Sequence, residues 1–103
     1  MSEITYIVKI TAAEGKLDEA LAVLGTLVDA ADAEPGTLAY ELHTDAGDPD
    51  VIWFYERYAD KAAFDAHVSS AAMAEVMGRM GSLVAGPPDM RRVDLVRRKG
   101  ESA

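Results

Sequence analysis

The sequence predicts one α+β domain with its elements in the order β-α-β-β-α-β, on three observations. Residues Glu3 to Thr11 alternate like a strand, with Ile4, Tyr6, Val8 and Ile10 on one face and Thr5, Ile7, Lys9 and Thr11 on the other. Leu17, Ala20, Leu21, Leu24, Leu27, Val28 and Ala31 then recur at helical spacing, while Lys16, Asp18, Glu19, Asp29 and Asp32 fall mostly off that stripe. Finally, the run from Glu34 to Ser70 sets turn, strand, loop, strand and helix one after another without interruption.

Each element has its own local reason. Ala12 to Gly15 break the first strand. Pro35-Gly36 suits a type II turn, in which proline presets φ at the second position and glycine supplies a positive φ at the third. Thr37 to Thr44 and Val51 to Tyr58 are rich in β-branched and aromatic residues, and the breakers of Asp45 to Asp50 join them as an antiparallel hairpin. Its preferred register sets Glu41 beside Tyr55 and diagonal to Arg57, because a slip of one residue would oppose Glu41 to Glu56.

Asp60 is placed to cap the second helix, on which Phe64, His67, Val68 and Ala71 share a face. After Ser69-Ser70 a second helical piece carries Met73, Val76, Met77, Met80 and Val84. Gly78 and Gly81 weaken it, predicting a kink or a frayed end, and Gly86-Pro87-Pro88 stops it. Met90 to Arg97 reads as the last strand.

This order gives a ferredoxin-like, split βαβ layout with a four-stranded antiparallel sheet. Both helices then cover one sheet face. The other face carries Ile7 with either Ile52 and Phe54 or their alternating partners Trp53 and Tyr55, and a second copy of the sheet is the simplest cover, hence a homodimer. Residues 1–103 form one domain, with order expected over residues 3–98 and disorder at Met1-Ser2 and in the tail from Lys99.

Composition narrows the function. A formal charge of −8 repels phosphate backbones and anionic lipid, so neither nucleic acid nor a membrane surface is an expected partner. The chain has no cysteine, which excludes disulfides, thiolate metal sites and cysteine nucleophiles. It also has no apolar run long enough for a membrane span and no signal-peptide pattern, so a cytoplasmic protein is expected.

No glycine-rich phosphate loop, GxSxG or HExxH motif is present, and the two histidines, His43 and His67, are too few and too far apart to argue a metal site. His67 shares the Phe64/Val68 face that should look at the sheet; it is either a core-edge histidine satisfied by a carbonyl or a base against an apolar wall. His43 falls close to the end of the second strand, and if its face is the sheet–sheet side it belongs to a subunit interface. Tyrosines gathered around one space would suit a flat phenolic ligand, and the Met73, Met77 and Met80 row is either core or a deformable wall of that space.

The segments EPGTLAYELHTD and DPDVIWFYERYADKAAFDAHVSS resemble the antibiotic biosynthesis monooxygenase domain family, with its PG-x-x-x-[YF]-E-L run, YERW-like strand end and A-x-x-x-H-x-x-S helix. The resemblance runs from Ile4 to about Val96. It implies a dimeric α+β barrel in which two four-stranded sheets meet, with a ligand cavity between sheet and helices. The sequence departs from the family pattern at Tyr58, where many relatives have Trp, and at Ala72-Met73, which replaces a frequent His-Phe pair. Val8, His67 and Met77 occupy the places where the haem-degrading branch needs Asn, Trp and His, so that activity is rejected.

The resemblance implies a monooxygenase that needs no metal, flavin or other cofactor and acts on a small aromatic quinol, anthrone or polyketide-like substrate with dioxygen. A non-catalytic small-molecule-binding or structural dimer of the same fold is the alternative. For the catalytic reading, His67 is the candidate base and Tyr58 and Arg79 are candidate anion stabilisers, with Tyr6, Phe54, Phe64, Met73 and Met77 lining the substrate space.

Overall fold

The computed structural model describes residues 2–101, so the disorder expected at Met1 and at the last two residues lies outside the described residues. The elements are β1 (Ile4–Thr11), α1 (Leu17–Ala31), β2 (Thr37–Thr44), β3 (Val51–Tyr58), α2 (Lys61–Val68), α3 (Ala71–Met80) and β4 (Asp89–Val93). The strands form one four-stranded sheet in the order β2-β3-β1-β4. Every pairing in it is antiparallel.

Side-chain alternation divides the sheet into two unlike faces. Val8, Ile10, Ile52 and Phe54 point inward and join Ala20, Val23, Leu24 and Leu27 of α1 and Val76 and Met80 of α3 in one buried core. The opposite face bears Ile7, Trp53, Tyr55, Arg57 and Val93, so Trp53 and Tyr55 are the residues on the uncovered side. Ile7 and Val93 remain 38% and 37% exposed there. His43 lies on this face too, bonded to Glu41 over 3.1 Å.

The hairpin takes the register that separates the glutamates: Glu41 pairs with Tyr55, and the register shifts between Ala39 and Thr37, which pairs with Tyr58. Asp45 organises the loop, accepting hydrogen bonds from the Gly47 and Asp48 amides and from the Trp53 indole. Asp60 caps α2 by accepting from the Ala63 amide over 2.9 Å, a contact worth about 1 kcal/mol in such positions. Ser70 caps α3 in the same way through the Met73 amide.

Three local expectations are corrected. Gly36 is not the positive-φ residue of a type II turn, because the described positive-φ glycines are Gly15 and Gly100. Space is what requires glycine there: a Cβ at Gly36 would stand 2.5 Å from the Ala63 Cβ, so the turn is pressed onto α2. Gly78 does not break α3, which runs to Met80 and ends at Gly81, ahead of Val84 and the prolines. The chain beyond it is drawn to the end of β1 by Ala13 N to Leu83 O and Ala85 N to Thr11 O bonds of 2.9 and 2.8 Å. The last strand is shorter than Met90 to Arg97, since Val93 pairs with Thr5 and β1 begins one residue further on, at Ile4. Leu95 and Val96 are consequently unpaired and exposed. Among the described residues, no helix is long and apolar enough to cross a membrane.

Candidate functional site

Between the inner sheet face and the helices lies a cleft of about 660 Å³, within the size range of small-molecule sites. Its floor is Val8, Ile10, Tyr40, Phe54, Glu56 and Met90 of the sheet. Leu24 and Leu27 of α1 form one wall, Phe64 and His67 of α2 and the Met73, Val76, Met77 and Met80 row of α3 form another, and residues 84–88 close one end. Met77 and Val68, 63% and 42% exposed, stand at its rim. The methionine row is therefore core at Met80 and cleft border at Met77.

Polar groups enter this apolar space from two adjoining places. The strand alternation that turns Ile52, Phe54 and Tyr58 inward must also turn Glu56 inward, and its register sets it between Tyr40 and Tyr6. Glu56 is only 6% exposed. Burial pushes its carboxyl above the usual carboxylate range, against the opposing effects of the Tyr58 hydroxyl and the nearby His67. Tyr58 donates its hydroxyl to Glu56 Oε1 over 2.6 Å. Burial, reinforced by the Glu56 charge, raises both the Tyr40 and Tyr58 phenols far above their ordinary value, so both stay neutral donors.

The second polar group is His67, 2% exposed at the last turn of α2. Its Nδ1 lies 2.8 Å from Glu34 Oε1, while its Nε2 is buried and has no hydrogen-bond partner. The ring is held by aromatic neighbours: Tyr40 at 4.7 Å and Tyr58 at 5.3 Å between centroids. A carboxylate can only accept, so a hydrogen bond between these groups needs a proton on Nδ1.

The structure brings His67, Phe54, Phe64, Met73 and Met77 together around the cleft. Tyr58 and Tyr6 stand behind the lining: Tyr58 is fully buried on Glu56, and Tyr6 stacks on Phe64 at 5.1 Å. Arg79 is separated from the site. It is exposed on α3, off the stripe of Met73, Val76 and Met80 that turns toward the sheet. Sequence reasoning missed Glu34 and Glu56 as site residues. A carboxylate at an inward position of β3 was a readable signal, whereas Glu34 meets His67 only through the fold, 33 positions away. Among the described residues, no group of three or more His, Cys, Asp or Glu could hold a metal ion.

The same fold recurs in known structures. Protein PA3566 of Pseudomonas aeruginosa is 26% identical and superposes over 94% of this chain and 97% of its own with a TM-score of 0.88. A Caulobacter crescentus CB15 protein provisionally assigned as an antibiotic biosynthesis monooxygenase is 26% identical, with a TM-score of 0.87 over 93% of this chain and 92% of its own. The uncharacterised protein sll1783 of Synechocystis is 25% identical over 76 residues, 74% of this chain and 52% of that protein, so the chain spans about half the length of this curated relative. The model of the antibiotic biosynthesis monooxygenase family matches residues 3–79, from the first strand to the end of α3, and the chain belongs to that family.

Proposed function

We propose that this protein is a cofactor-independent monooxygenase acting on a small aromatic quinol, anthrone or polyketide-like substrate bound in the cleft. The observation that carries the proposal is the buried, unpartnered Nε2 of His67 in the wall of an apolar cleft. A planar aromatic would lie against Phe54, Phe64 and the Met73/Met77 border, with its acidic position toward His67.

For an anthrone, His67 Nε2 takes a proton from the ring methylene and leaves a delocalised anion. The anion gives one electron to dioxygen, and the resulting radical and superoxide join through a new carbon–oxygen bond. Protonation of that peroxide, cleavage of its O–O bond and loss of the second methylene proton yield the quinone and one water. The electrons come from the substrate, so no further reductant enters. The residues supply binding, proton removal and a dry site, with Glu56 and the neutral Tyr58 and Tyr40 phenols next to the base.

A second reading, a non-catalytic small-molecule-binding dimer, is favoured by one observation: no Lys or Arg is among the residues lining the cleft, so a developing oxyanion would meet no cation there. Oxygen uptake with a panel of hydroquinones and anthrones, without added cofactor and after chelation, separates the two. Uptake coupled to incorporation of one oxygen atom into the product, as in anthrone to anthraquinone plus water, supports oxygenation, and binding without uptake supports the second reading.

We also propose that the uncovered sheet face pairs with that of a second copy, giving a homodimeric α+β barrel. Ile7, Val93, Trp53 and Tyr55 leave an apolar strip there that no helix covers.

A further inference from the structure

We infer that Glu34 is a positioning residue that locks His67 in the tautomer with its proton on Nδ1, so that the lone pair of the neutral ring sits on the buried Nε2. This rests on the reading of His67 as the base, and it adds a residue from a separate part of the chain to that site.

The geometry is built rather than incidental. Glu34 Oε1 sits 2.8 Å from His67 Nδ1 and also accepts the Thr37 hydroxyl over 2.8 Å, so the carboxylate is held from two sides. The turn that bears Glu34 is closed by the Thr37 amide on the Glu34 carbonyl over 3.1 Å. It is anchored to the other side of the site by the Ala59 amide on the Gly36 carbonyl over 2.9 Å, and Gly36 touches α2 where any Cβ would collide with Ala63. His67 in turn is held by Ser70, whose hydroxyl donates to the His67 carbonyl over 2.8 Å. Tyr40 from β2 and Tyr58 from β3 pack on the ring, and Glu56 is the other carboxyl near it.

An ionised carboxylate has no proton to give, so the only hydrogen bond available between these groups has Nδ1–H as donor. A neutral imidazole with its proton on Nδ1 has an accepting Nε2. Without Glu34 the proton is free to sit on either nitrogen, and a ring with Nε2–H could not accept a proton from substrate. The Glu34 carboxylate also stabilises the imidazolium that forms when Nε2 takes that proton.

The test is nitrogen NMR of the histidine rings in the neutral form, with no substrate present. The chain has two histidines, so a His43→Gln variant assigns the signals. Wild type is expected to show a pyrrole-type Nδ1 and a pyridine-type Nε2 at His67, and Glu34→Ala, which removes the acceptor, is expected to move the proton wholly or partly to Nε2. A wild-type His67 protonated on Nε2 overturns the inference by itself, even if the variant does not fold. A Glu34→Ala protein with unchanged His67 nitrogen shifts overturns it as well. Since this readout does not use turnover, a protein with the expected tautomers and no oxygen uptake would refute the oxygenase reading and leave the role of Glu34 standing.

Discussion

Glu56 and Tyr58 stand two residues apart on the inner face of β3, and the Tyr58 hydroxyl donates to Glu56 Oε1 over 2.6 Å. The bond favours a charged Glu56, yet burial outweighs it and the carboxyl is raised. The folded protein thus keeps this proton to a higher pH than the unfolded chain, whose glutamate titrates near 4.5. The sign follows: the contribution to stability is full below the unfolded value and is lost as pH rises through the folded value. Melting temperature should fall as pH rises above the unfolded value near 4.5, and fall less in Glu56→Gln. The comparison isolates Glu56 from Asp45, whose carboxyl is held low by the Trp53 indole and by backbone amides and acts in the opposite direction. Equal slopes in the two proteins would contradict the buried, raised carboxyl.

The methionine row should divide in denaturant unfolding. Met80 is 7% exposed and part of the core, so Met80→Ala is expected to cost about 2–5 kcal/mol. Met77 is 63% exposed at the rim, and Met77→Ala should stay within about 0.5 kcal/mol. A loss at Met77 as large as at Met80 would show that Met77 is core.

Gly36→Ala places a methyl against Ala63 and should cost about 1–3 kcal/mol by overpacking. Ala63→Gly alone costs about 1 kcal/mol as a glycine within a helix. Because the two methyls would occupy one space, the double variant should be more stable than Gly36→Ala. Simply additive losses would mean that the turn is not pressed against α2.

The proposed homodimer should be seen by light scattering at micromolar concentration, and Ile7→Glu, which puts a charge in the middle of the uncovered face beside Tyr55 and Arg91, should shift it toward monomer. A wild-type monomer at that concentration contradicts the assembly.

Most of the fold was legible because local signals agreed with one another: alternation in β1, the apolar stripe of α1, the breakers around Asp45 and the Asp60 cap all act within a few residues. Errors arose where tertiary contacts decide. Gly36 is required by the methyl of Ala63, and β4 stops where β1 runs out. The site was legible in part for the same reason. His67, Phe64 and the methionines lie on readable helical faces, while Glu34 reaches His67 only once the turn has docked on α2. Arg79 illustrates the converse, a suggestive residue type on the exposed side of its helix.

The most direct test of the central claim is oxygen uptake by wild type and His67→Gln, side by side, on one anthrone or hydroquinone that wild type accepts, without added cofactor and after chelation. Gln keeps polarity and approximate size but cannot serve as the base. A drop of about 100-fold to 10,000-fold in rate, with the fold intact by circular dichroism, is the predicted result. Full uptake by His67→Gln would contradict the account, because proton removal would then not depend on the buried imidazole.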